Sequence, residues 1–242
     1  MRGVQVGPAV GFVGLVALLA LLDGAVGLEG PAWTVGAASA LAVGVLLAAA
    51  LVRRPDTVLG PAGWITLLRA QLVCAVAALA VDGPHRSHAA LIAVTATVAL
   101  VLDGVDGRVA RRTGTVSALG ARFDMEVDAF LILVLSAYLA PVAGWWVLLI
   151  GAARYLLVAA GRVLPWLHGT LPPRPWCKVV AVVQGVVLTI AAADVLPLPL
   201  TRVALAVALA LLTESFGREV RDLRRLSRRP APVRVPELVR HG

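Results

Sequence analysis

Eight apolar runs, at 8–25, 31–52, 64–81, 89–110, 118–140, 144–161, 179–193 and 199–213, occupy most of this 242-residue chain. About 20 predominantly apolar residues in helical form cross a bilayer's hydrocarbon core, and runs of this length leave little room for any other fold. Composition agrees, because 60% of residues are hydrophobic and 15% are charged, with 23 glycines besides. Ordinary soluble domains hold about 45–50% apolar residues, glycine included, and about 25% charged ones. Too little polar surface remains to cover a soluble globule, and disorder, a collagen-like repeat and a disulfide-rich secreted scaffold are excluded with it. The expected fold is all-α, a polytopic membrane protein. Pro61, Pro84, Pro141, Pro172, Pro173, Pro197 and Pro199 fall at or near the breaks, where a missing N–H harms a helix least. Only Arg2 precedes the first run and a second follows at once, so that run reads as a span and not as a cleaved signal peptide.

Basic residues orient the spans. Lysine and arginine total 22 against 14 acids, for a net charge of +8. With the N-terminus placed in the cytoplasm, the inner connections and adjoining span ends hold Arg2, Arg53, Arg54, Arg108, Arg111, Arg112, Arg122, Arg162, Arg174, Lys178 and the tail arginines. The outer ones hold Arg86 beside Asp23, Glu29, Asp82 and Asp194. The positive-inside rule then places both termini in the cytoplasm of a multi-pass cell-membrane protein. Trp33, Trp64, Trp145, Trp146, Trp166 and Trp176 gather at span ends, as interfacial anchors do. The bases lie between apolar runs and in the tail, so anionic lipid headgroups are the expected partners and nucleic acid is not. His85, His88, His168 and His241 share no face, and Cys74 and Cys177 show no ligand spacing. Neither set reads as a metal site.

Two neighbouring spans break the apolar pattern. Asp103 and Asp106 close one, and Asp124, Glu126 and Asp128 open the next. An ionised carboxylate at this depth costs at least a few kcal/mol unless it is paired, hydrated or metal-bound. Spacings of three and four place Asp103 with Asp106, and Asp124 with Asp128, on single helix faces. The short connection at 111–117 folds the second helix back, so both pairs are expected at one depth on the cytoplasmic side. Four clustered carboxylates demand a counter-charge, and two hard divalent ions, Mg²⁺ or Mn²⁺, suit an all-oxygen set. Glu126 points about 200° away from Asp124 around the helix, and Arg122 is its expected partner. Gly107 and Gly120 leave room for a flat ligand near the metals, and Arg111 lies one turn beyond Gly107 with a fork suited to phosphate. Together these read as a diphosphate site in which metals clamp the leaving group and one free carboxylate takes a proton from an attacking hydroxyl.

The string Asp103-x-x-Asp106-Gly107-x-x-Ala110-Arg111, then eight residues, then Gly120-x-x-x-Asp124-x-x-x-Asp128 resembles the full signature of the CDP-alcohol phosphotransferases. The similarity extends over residues 60–213, that family's six-helix core. Ile65-Thr66-x-x-Arg69 resembles its first-helix entry, Arg154 with Arg162 its fourth-helix arginines, and 178–184 the start of its fifth helix. The resemblance implies that Asp103, Asp106 and Asp124 hold the metals. It makes Asp128 a ligand of the second metal and the general base. Gly107, Ala110, Arg111 and Gly120, with Thr66, would shape the CDP pocket, and Arg154, Lys178 and Arg69 are candidates for holding the acceptor or a phosphate. It further implies transfer of a substituted phosphate from a CDP-linked donor, in first place CDP-diacylglycerol, to an alcohol, with release of CMP in phospholipid biosynthesis. Tyr155, Cys177 and Ala181 depart from residues common in relatives and leave the acceptor open among glycerol phosphate, inositol phosphate, an amino alcohol and a phospholipid. A small CDP-alcohol donor also stays open. An ion-coupled transporter using the same carboxylates is the alternative, though it requires neither the glycines nor the arginine.

Three regions are expected: two additional N-terminal transmembrane helices at 1–58, the catalytic core at 59–215, and a basic cytoplasmic tail at 216–242. The first region has no expected role beyond packing or anchoring. Arg202 is expected as an anchor near an outer span end. Small residues at helical spacing, as in 38–51 and 204–212, favour close helix packing and permit a homodimer.

Overall fold

Where no water can satisfy a backbone amide, a helix that closes its own hydrogen bonds is the local solution. The structure, a computed structural model, describes residues 6–52, 60–82, 87–114, 117–164, 166 and 175–227, which form helices and no strands. Arg2, Arg53, Arg54, Arg86, Arg174, His85, His168, His241 and the tail from 228 onward lie outside the described residues. The helices are α1 (Val6–Val26), α2 (Gly30–Val52), α3 (Pro61–Ala80), α4 (Ala89–Thr113), α5 (Ala118–Ala143), α6 (Leu148–Val163), α7 (Pro175–Ala192) and α8 (Leu198–Ser227). A 3-10 turn, Trp145–Val147, leads into α6.

Seven of these helices are long and apolar enough to cross a bilayer. The expected run at 179–193 becomes α7, whose apolar part, Trp176–Ala192, is shorter than the rest. All eight expected segments are therefore helical, seven of them above the length and apolarity needed to cross a bilayer. The chain is a multi-pass, all-α membrane protein.

Local chemistry sets the helix ends that matter for the site. Gly114 adopts φ 65°, left-handed, and its N–H closes α4 on the Ala110 carbonyl. The Ser117 hydroxyl then accepts the Gly120 N–H at 2.9 Å and caps the start of α5. Pro61 opens α3 without losing a helical hydrogen bond, and Pro141 lies in the last turn of α5. α8 continues as one helix past Thr213 to Ser227, so the start of the basic tail is helical.

α3 is the central helix. It packs against α1, α2, α4 and α5, whereas close backbone approach between α4 and α5 is slight. Rather than lying flat on each other, the two acid-bearing helices flank α3. α7 packs on both α4 and α5, and α6 packs on α5. Gly151 makes the last contact possible: a Cβ there would sit 2.7 Å from the Leu133 Cα on α5. α1 and α2 cover one side of α3 and direct most of their apolar side chains outward, as lipid-facing helices do.

At the end of the molecule away from the acid cluster, Asp82 fastens this N-terminal pair to the core. Its buried carboxylate accepts the Glu29 backbone N–H at 2.8 Å and lies 2.8 Å from His88 Nε2. Asp82→Ala removes a buried carboxylate that accepts a part-buried N–H, so a loss of roughly 1–3 kcal/mol is expected. A lowered thermal midpoint of the purified protein checks it, and an unchanged midpoint would remove the anchoring role. Arg202, near the same end, donates to the carbonyls of Ala143 (3.1 Å) and Val142 (3.2 Å), neutralising the C-terminal end of α5.

Candidate active site

Helical periodicity brings each acid pair to one face, and α3 brings the two faces together. Asp103 and Asp106 descend from α4, Asp124 and Asp128 from α5, and Arg69 of α3 stands between them. Arg69 Nη2 lies 2.9 Å from Asp103 Oδ1 and also pairs with Asp128. Nη1 lies 2.7 Å from Asp106 Oδ2 and also pairs with Asp124. Nε donates to the Ala99 carbonyl at 3.2 Å. Arg69 is only 1% exposed, a burial that a guanidinium tolerates when ion pairs and hydrogen bonds replace its water. One turn earlier on the same face, the Thr66 hydroxyl lies 3.1 Å from both Asp106 Oδ2 and the Ala62 carbonyl.

Carboxylate oxygens of Asp103, Asp106 and Asp124 lie within 4.8 Å of one another. An all-oxygen, anionic donor set at this spacing fits hard divalent cations such as Mg²⁺ and Mn²⁺ better than zinc. Asp106 is buried, but the side chains of Asp103, Asp124 and Asp128 are 33%, 34% and 36% exposed, so the cluster is open to arriving ions.

Beside the cluster lies a cavity of about 380 Å³. All five residues expected to shape a nucleotide pocket, Thr66, Gly107, Ala110, Arg111 and Gly120, line it, together with Asp106, Asp124 and Lys178. Gly107 lies beneath Arg111, whose Nη1 would be 3.4 Å from a Cβ at that position. One wall was not anticipated. Leu47 of α2, in the segment expected only to pack or anchor, lines the cavity. It belongs to an apolar cluster with Leu51 and Leu67, against which Leu119 and Phe123 of α5 pack. A leucine in an alanine-rich run carries no sequence signal of this kind.

The remaining candidates separate. Lys178 faces the cavity, whereas Arg69 and Arg154 are absent from its lining. Arg154 Nη2 pairs with Glu126 Oε1 at 2.5 Å and Nη1 lies 3.8 Å from Met125 Sδ. This corrects the expected partnership of Glu126 with Arg122. The physical reason is depth: Arg154 stands mid-span on α6, where a charge needs a partner, and α6 packs on the face of α5 that carries Glu126.

The family model of CDP-alcohol phosphatidyltransferase matches residues 59–213. No curated protein and no solved structure shows significant similarity to the chain. The match covers well over half of the sequence and includes every residue of the acid cluster and its arginine, so the chain belongs to the CDP-alcohol phosphatidyltransferase family.

Proposed function

We propose that the protein transfers a phosphatidyl group from CDP-diacylglycerol to an alcohol, releasing CMP, at the cytoplasmic face of the cell membrane. The observation that carries this reading is the convergence of four carboxylates from two helices beside a cavity holding Gly107, Gly120, Arg111 and Lys178. Asp103, Asp106, Asp124 and Asp128 hold two divalent ions, Mg²⁺ or Mn²⁺. Bound there, the ions neutralise the donor's diphosphate and stabilise the departing CMP. Arg111 and Lys178 supply further positive charge along the cavity wall, and Gly107 and Gly120 let the nucleotide approach the carboxylates. Asp128 takes the proton of the acceptor hydroxyl as its oxygen bonds to the phosphorus carrying diacylglycerol, and the bond from that phosphorus to CMP breaks. Positive charge on the inner connections supports the cytoplasmic placement. The core at 59–215 carries the chemistry, the helices at 1–58 add the Leu47 wall, and the tail at 216–242 engages anionic headgroups.

Purified protein supplied with labelled CDP-diacylglycerol, Mg²⁺ and a panel of alcohols is expected to release CMP and form one new phospholipid. Release from a small CDP-alcohol with diacylglycerol as acceptor would reverse the donor assignment. Substrate flux in sealed vesicles without CMP would favour a transporter instead.

A further inference from the structure

A cation supplied by the chain itself stands at the centre of the carboxylate cluster. Every ion pair that Asp103, Asp106, Asp124 and Asp128 make among the described residues runs to Arg69. The guanidinium has no donor nitrogen left over: Nη1 serves Asp106 and Asp124, Nη2 serves Asp103 and Asp128, and Nε serves the Ala99 carbonyl. Each terminal nitrogen therefore ties one carboxylate of α4 to one of α5, two helices whose backbones approach closely at few points. Arg69 is the crosspiece that assembles the cluster.

The same oxygens suit a divalent ion. A carboxylate oxygen spent on a guanidinium at hydrogen-bond distance is unavailable to a metal at its shorter bond length. Nor does one positive charge match four negative ones, so the cluster keeps an attraction for cations of higher charge. We infer that Arg69 is the resident counter-cation of the metal-free site, and that divalent ions bind by exchange, the guanidinium giving up carboxylates as they enter. This deepens the proposed function and rests on its reading that the carboxylates hold metal. It makes Arg69 a positioning residue for the carboxylates.

Exchange predicts a sign that a supporting or merely structural role does not. Two cations competing for one set of ligands are negatively coupled, so removing one tightens binding of the other. Full-length protein in detergent, without substrate, is titrated with Mn²⁺ and free Mn²⁺ is followed by electron paramagnetic resonance. Arg69→Met is expected to bind Mn²⁺ about ten-fold or more tightly than the wild type, because its metal-free state alone carries uncompensated charge. Its metal-free thermal midpoint should fall, and saturating Mn²⁺ should close most of the gap. Arg69→Lys keeps the charge but not the fork, and is expected to shift affinity in the same direction by less. It carries the comparison should Arg69→Met fail to fold without metal. Unchanged or weaker Mn²⁺ binding in the folded variants, or equal destabilisation with and without metal, overturns the exchange while leaving the metal site standing. A wild-type protein that binds no Mn²⁺ overturns the metal reading and this inference together.

Discussion

Asp128→Asn is expected to lower CMP release by about 10²–10⁴-fold, the range over which a positioned general base acts. The substitution retains the size of the side chain and keeps an acceptor oxygen for Arg69 Nη2, so the protein should express and melt much as the wild type does. What disappears, on the proposed mechanism, is the basic oxygen that takes the acceptor's proton, together with one metal ligand. Steady-state assays with CDP-diacylglycerol and the acceptor found in the panel check the effect, at saturating Mg²⁺ to offset any loss of Asp128 as a metal ligand. It should fall chiefly on kcat because the donor cavity is lined by other residues. Asp106→Asn provides a contrast. Asp106 is buried beneath Thr66 and Arg69 and takes no proton, so its loss should lower turnover through weakened metal binding, and excess Mn²⁺ should recover part of it. Turnover by Asp128→Asn within a few-fold of the wild type would reject the base assignment.

Chelation of divalent ions is expected to reduce CMP release about 10³-fold or more, since a metal's charge stabilisation at a transferring phosphoryl group is worth several kcal/mol. Added Mg²⁺ or Mn²⁺ should restore it. The fold should survive the treatment. In a cluster with no internal cation, removing metal would leave four carboxylates facing one another in a poorly hydrated setting. Here Arg69 remains to pair with all of them. Turnover and thermal midpoint should therefore separate on chelation, the first collapsing and the second shifting modestly. Full activity in excess chelator would overturn the metal assignment.

The acid pairs show how far local reading carries. Spacings of three and four determine that Asp103 joins Asp106 and that Asp124 joins Asp128, because helical geometry leaves no choice. Asp103, Asp106 and Asp124 bring carboxylate oxygens within 4.8 Å of one another, and Asp128 joins them through Arg69. The same reasoning paired Glu126 with Arg122, its neighbour one turn away. It failed because a mid-span arginine on α6, with nothing local to meet it, claimed the carboxylate first.

Span number, helical class, charge asymmetry and the composition of the acid cluster follow from the chain alone, since each depends on residues within a turn or a bilayer's length of one another. Tertiary structure alone decided that α3 comes between α4 and α5, that Arg69 turns into the cluster instead of the cavity, and that Leu47 reaches a wall of the site. α1 and α2 are apolar on nearly all sides. Such helices have no polar stripe to mark an inward face. Their neighbours and rotation are then chosen by close packing between distant segments, which periodicity within one helix does not encode.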